Sequence, residues 1–340
     1  MEKKLLSLLL MSTVLSSTGS FASSAQIKVI YGADNRVDVD ESTNPMYLRL
    51  AESTAAMIPN GRIKEHNNMQ VELVGRTLSE NGMCESERFS GQLAVANCSG
   101  FLVAPNKLVT AGHCIQDASD CANSSWVFDY KADSEVQSEF IVDKSVVYKC
   151  SSIISQSLEH STQNDYALIE LDREVTDRSP LKFRTAGKPQ VGDPLVVIGH
   201  PSGLPTKIAD GANVRSVNDV FLTSNLDTYG GNSGSAVFNA DTGIVEGILV
   251  RGEQDYVYDS AQGCRASNMV ADDKGRGEDV TLITQVEGLE EIQQPEEPTE
   301  PQQPEEPTQP TEPTQPEEPS EPEEPLSFWE WLLRWLSGQA

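Results

Sequence analysis

Apolar residues in this chain fall in short runs, not at helical spacing. Phe101-Leu102-Val103, Lys107 to Thr110, Tyr166 to Leu171, Leu195 to Ile198 and Gly243 to Val250 are such runs. Gly, Pro, Asn and Asp punctuate them at roughly ten-residue intervals, the signature of many short antiparallel strands in a sandwich or barrel. An all-β fold is therefore expected. Helical periodicity is confined to residues near Met46 to Ala56, where it is weak, and to the extreme C-terminus.

The two ends differ from the body. Lys3 and Lys4 precede an apolar run from Leu5 to Leu15, and Ser20-Phe21-Ala22 offers small residues where signal peptidase reads. Residues 1–22 are expected to be a signal peptide, with a buried N-terminal helix as the alternative. No other stretch approaches the ~20 apolar residues of a membrane span. From Pro295 to Pro325 proline recurs at every third position, with mostly Glu, Thr and Gln between. Polyproline II has three residues per turn, so the rings line one edge and Glu repulsion extends the chain to roughly 96 Å. Residues 289–325 are expected to be a disordered acidic linker.

Beyond the linker, Leu326 to Leu336 holds three of the four tryptophans. On a helix, Phe328, Trp331, Leu332 and Trp335 share one face, opposite Glu330, Arg334 and Ser337. Residues 326–340 thus read as a Trp-rich amphipathic helix suited to a membrane interface or a surface protein. Docking back onto the body is the alternative.

Composition narrows the function classes. The 340 residues carry 25 Lys plus Arg against 52 Asp plus Glu, a net charge of −27. That field repels phosphate, so nucleic-acid binding is excluded as a main role. Six cysteines follow the leader: Cys84, Cys98, Cys114, Cys121, Cys150 and Cys264. An even count in an exported chain favours disulfides, and the absence of a CxxC pair argues against a zinc ribbon. The expected location is secreted or cell-envelope associated, in a periplasm or on a cell surface. No phosphate-cradling glycine loop or clustered metal ligands are visible, so no cofactor and no metal is expected.

Three segments carry candidate chemistry: Val109-Thr110-Ala111-Gly112-His113-Cys114, Asn164-Asp165-Tyr166-Ala167-Leu168, and Gly230-Gly231-Asn232-Ser233-Gly234-Ser235. Singly, each has a plain structural reading as a strand end, a turn start or a tight loop. In the order His, Asp, Ser they describe a nucleophilic triad. A serine hydroxyl is a poor nucleophile until an imidazole takes its proton, and the imidazole needs a carboxylate to set its tautomer. Glycines beside Ser233 allow a tight turn, so the N–H groups of Gly231 and Ser233 can converge on an oxyanion. His200 reads as a structural loop histidine, His66 and His160 as solvated, and Trp126 as core.

On these residues the chain resembles the trypsin-like serine peptidases of chymotrypsin fold. The likeness runs from Cys98-Ser99-Gly100 through Thr110-Ala111-Gly112-His113-Cys114 and Asp165-Tyr166-Ala167-Leu168 to Gly231-Asn232-Ser233-Gly234. Val29 to Arg36 also resembles the mature start of bacterial glutamyl endopeptidases, so a second cut after Lys28 would make residues 23–28 a short propeptide. The resemblance implies a peptidase domain over 29–288 built as two six-stranded antiparallel β-barrels. The first would run to about residue 180 and the second over 181–288, with His113 and Asp165 from the first and Ser233 from the second. It implies a Cys98–Cys114 bond. Of the three pairings open to the other four cysteines, Cys121–Cys150 with Cys84–Cys264 is expected.

The family's Asp before the nucleophile is replaced by Asn232, and Tyr229 stands where the family places a pocket cysteine. By resemblance Asp227 occupies the base of the primary pocket, with Thr228, Leu249, Val250, Arg251 and Gly252 around it. A carboxylate there favours a basic substrate residue, and Leu249 stands where glutamate-preferring relatives use histidine. Arg251 would reverse the pocket's sign if it pointed inward. The expected function is a monomeric secreted serine endopeptidase acting on proteins or peptides. A glutamate-specific endopeptidase and a non-catalytic surface binding module are the alternatives.

Overall fold

The apolar runs become barrel strands in the computed structural model, which describes residues 28–133, 137–292 and 325–338. The expected signal peptide and nearly all of the Pro/Glu linker lie outside the described residues. The first barrel consists of β1 (Thr54–Pro59), β2 (Cys98–Ala104), β3 (Lys107–Thr110), β4 (Ser124–Val127), β5 (Val147–Leu158) and β6 (Asp165–Leu171). These close in the order β4-β5-β6-β3-β2-β1, every pairing antiparallel. The second holds β7 (Pro194–Gly199), β8 (Lys207–Val217), β9 (Phe221–Ser224), β10 (Ala236–Asn239), β11 (Val245–Arg251) and β12 (Glu278–Leu282). Its order is β7-β10-β11-β12-β9-β8, closed by β7 against β8.

Side-chain alternation explains how the barrels meet. On β7, Leu195 and Val197 point into the second barrel with Val214, Leu222, Leu249 and Val280. Val196 and Ile198 point the other way, into a core continuous with Phe101, Trp126 and Leu168 of the first barrel. Period-two alternation thus puts apolar side chains on both faces, one filling a barrel and one joining the two. Trp126 is fully buried there.

The weak helical signal near residues 46–56 resolves differently from its expected span. A helix covers Pro45–Ala51, opened by Asn44, whose side chain accepts the Met46 N–H at 2.9 Å. Thr54 to Ile58 are instead buried residues of β1. Burial in the barrel outweighs a marginal local preference. A short helix over Ala118–Asn123, capped by Asp117, has no counterpart in the sequence reading.

Residues 28–38 also depart from expectation, because they pair with the second half of the body and only Arg36–Asp38 joins the second-barrel sheet. Lys28–Tyr31 runs parallel to Met269–Val270, and Arg36–Asp38 pairs antiparallel with Lys207 to Ala209 of β8. At the other end the body continues past residue 288: Leu289 is buried, and Ile292 packs against the core. Residues 325–338 form a separate unit containing a helix over Phe328–Leu336, opened by a capping box between Ser327 and Glu330. Among the described residues no helix is long and apolar enough to cross a membrane.

Candidate active site

The antiparallel pairing of β3 with β6 sets Thr110 opposite Ala167, so the end of one strand meets the start of the other. His113 lies just beyond β3 and Asp165 opens β6. Asp165, 2% exposed, receives the His113 backbone N–H at 3.0 Å on Oδ1. Its Oδ2 lies 2.8 Å from His113 Nδ1. The two contacts hold the imidazole by ring and main chain together. The Cys98–Cys114 disulfide ties the residue after His113 to the start of β2.

Ser233 sits on a turn between two glycines in left-handed conformations, Gly231 at φ 98° and Gly234 at φ 88°. A side chain at Gly234 would place Cβ 2.1 Å from the Ser99 carbonyl and 2.2 Å from Thr110 Oγ1. Only glycine lets the turn press this closely on the ends of β2 and β3. The Ser99 N–H donates to the Ser233 carbonyl and the Ser99 hydroxyl to the Gly231 carbonyl, both at 2.8 Å. Asn232 N–H donates to Tyr229 and Gly234 N–H to Leu249. Among the described residues, the Gly231 and Ser233 N–H groups engage in no hydrogen bond.

Two cavities share Val250 and Arg251 as a common wall. One, of about 350 Å³, is lined by His113, Asp165 and the loop from Leu158 to Asn164. The other, of about 110 Å³, contains Ser233, Thr228 to Gly230, Leu249 to Gly252, Asp255 and Glu278. Thr228, Leu249, Val250, Arg251 and Gly252 thus gather beside Ser233.

Asp227 does not fit its expected role, because it is not among the described residues that line this pocket. Its carboxyl faces the N-terminal segment, accepting the Tyr31 N–H at 2.8 Å and the Asn35 N–H at 2.9 Å. Burial pushes its pKa up to about 7. The acidic groups beside the pocket are instead Glu278 and Asp255. Glu278 accepts the Thr228 hydroxyl and, at 3.0 Å, the Glu253 N–H, and burial pushes it up to about 8. Asp255 accepts the Gly230 N–H at 2.7 Å and is likewise raised by burial. The local trace of Glu278 in the sequence is a Glu-Asp pair at the start of the strand Glu278–Leu282.

The remaining candidates are structural or peripheral. His200 is fully buried, with Nδ1 3.0 Å from the Leu204 carbonyl, and burial lowers its pKa to about 3. It is therefore a neutral loop histidine. His66 and His160 are exposed. Cys98, Cys114 and His113 bring ligand-type atoms together, but the two sulfurs are bonded to each other and offer no thiolate to a metal. The other disulfides join Cys121 to Cys150 and Cys84 to Cys264.

Residues 98–248 match the trypsin-like peptidase domain family model. An uncharacterized protein of Sinorhizobium fredii, y4fB, is 26% identical over 157 residues, covering 41% of this chain. The match spans only 23% of that relative's length. Among solved structures, a Glu endopeptidase shares 17% identity over 71% of this chain and 94% of its own, with a TM-score of 0.44. The Vibrio cholerae VesB protease shares 14% identity over 74% of this chain and 64% of its own, also at 0.44. The span that matches the trypsin-like peptidase domain model includes His113, Asp165 and Ser233.

Proposed function

We propose that the protein is a secreted serine endopeptidase that cleaves peptide bonds through an acyl-enzyme. The observation that carries this is the buried Asp165 holding His113 by both ring and main chain, next to the cavity that contains Ser233. With Nδ1–H donated to Asp165, His113 Nε2 is free to take the Ser233 hydroxyl proton as Oγ attacks the substrate carbonyl carbon. The oxyanion receives the unengaged N–H groups of Gly231 and Ser233. Collapse breaks the C–N bond, and the leaving amine takes its proton from Nε2. Water then repeats the sequence on the ester, releasing the acid and restoring Ser233. Labelling by a fluorophosphonate probe tests this: native protein should be modified at Ser233, and failure to label would remove the reading.

The primary pocket suits a basic substrate residue, through Glu278 and Asp255. Arg251 contributes little opposing charge, because its guanidinium is ion-paired with Asp279. Glu278 is raised to about 8, so it is mostly protonated in the empty pocket at neutral pH and ionises as a cation enters. The preference for Arg over Ala at that substrate position, as a ratio of kcat/KM values, should therefore rise with pH until about 8. The ratio cancels titration of groups common to both reactions. Glu278→Gln should cut the preference roughly tenfold or more, at ~1.4 kcal/mol per tenfold, and flatten its pH dependence. A panel of fluorogenic peptides reads both effects. Exclusive cleavage after Glu would rule the basic preference out.

The C-terminal helix supplies a localisation element in this proposal. Its apolar arc, including Phe328, Trp331 and Trp335, suits the membrane–water interface, and its nine residues are too few to span it. Deleting residues 326–340 should abolish co-sedimentation with lipid vesicles and leave peptide turnover unchanged. Unaltered partitioning of the truncated chain would eliminate the anchor.

A further inference from the structure

We propose that Arg251 is a positioning residue for the His113–Asp165 pair and not a ligand for substrate. The inference rests on the peptidase reading above. Arg251 ends β11 in the second barrel, yet its guanidinium reaches the loop leading into Asp165 in the first. Nη1 donates to the Gln163 carbonyl at 3.1 Å and lies 3.9 Å from Asp165 Oδ2. That oxygen is the one facing His113 Nδ1. On its other side, Nε donates to Asp279 Oδ2 at 3.3 Å. Asp279, nearly fully buried, also takes Arg276 Nη2 at 2.6 Å and the Thr223 hydroxyl at 3.3 Å. The Phe221 ring lies 5.5 Å from the guanidinium carbon. Asp165, Arg251, Asp279 and Arg276 therefore form a sequence of alternating charge running from the imidazole partner across the pocket wall.

Two features set direction in this network. Gln163 adopts a left-handed conformation at φ 64°, unusual for a residue with a side chain. Arg251 grips the carbonyl of that residue, two positions before Asp165, and so sets how the loop delivers the carboxylate. Arg251 also approaches Oδ2 from its own barrel, which opposes rotation of the carboxylate away from the ring. A planar, multiply donating guanidinium suits several fixed acceptors at once, whereas a lysine ammonium reaches fewer with less precision.

The test uses the full chain and whichever peptide of the fluorogenic panel the wild type cleaves fastest. Arg251→Gln should lower kcat about tenfold or more while KM stays within about twofold, and Arg251→Lys should recover part of that loss. A KM rise at constant kcat, or a lysine variant no better than glutamine, overturns the inference. Should Arg251→Gln fail to fold by near-ultraviolet circular dichroism, Asp279→Asn loosens the anchor with Arg251 in place. It must then lower kcat at constant KM, and an unchanged kcat overturns the proposal. A wild type that neither turns over peptide nor labels at Ser233 removes the parent reading instead, which is a separate outcome.

Discussion

Ser233→Ala is expected to fold as the wild type does and to lose roughly 10⁶-fold in turnover, the scale on which a triad nucleophile contributes. The two flanking glycines and the hydrogen bonds from Ser99 to the turn involve no atom of the Ser233 side chain. The oxyanion donors are main-chain groups and survive the substitution. A residual acceleration over water on the order of 10³-fold should therefore persist, from those donors and substrate binding. Peptide turnover, probe labelling and thermal unfolding together check this. Wild-type-like turnover in a melt-competent variant would overturn the nucleophile assignment.

Asp165→Asn should fail by a different and more specific route. His113 presents two donors to Asp165, the main-chain N–H at one oxygen and the ring Nδ1 at the other. The main-chain donor cannot change, so the amide oxygen must face it. The amide NH₂ is then turned toward Nδ1, which must give up its proton to accept. That places the ring proton on Nε2, where it cannot take the proton of Ser233. Loss of turnover on the order of 10⁴-fold is expected, with KM and fold little altered. A lost melting transition would show instead that the carboxylate acts mainly in folding.

The parts legible in sequence were those with local causes. Short apolar runs between turn residues marked strands such as Phe101 to Val103, and glycines around Ser233 marked the turn. The roles of Asp227 and Glu278 were not legible. Asp227 is defined by main-chain donors at Tyr31 and Asn35, separated from it by 196 and 192 residues. No local pattern signals that a carboxylate will be claimed by backbone so distant in the chain. Glu278 reaches the pocket because β12 lies between β9 and β11 in the second barrel, a property of sheet order. Arg251 was visible as a charge near the pocket, but its direction was set by Gln163 and Asp279 on separate elements.

The strand Arg36–Asp38 completes its pairing only with Lys207 to Ala209, and its neighbouring segment only with Met269–Val270. During synthesis, every residue of the first barrel emerges between these partners. The first barrel is thus able to close while the early segment still waits for strands that do not yet exist. Contacts of such long sequence separation form late and slowly, because the loop must close before the contact stabilises it. The buried Arg36, which lies over the Tyr229 ring, and the Lys207–Asp38 ion pair would be among the last interactions made. The early segment therefore stays an unpaired edge until strands from the second half of the body emerge, and the second barrel matures only when residues 28–38 meet them.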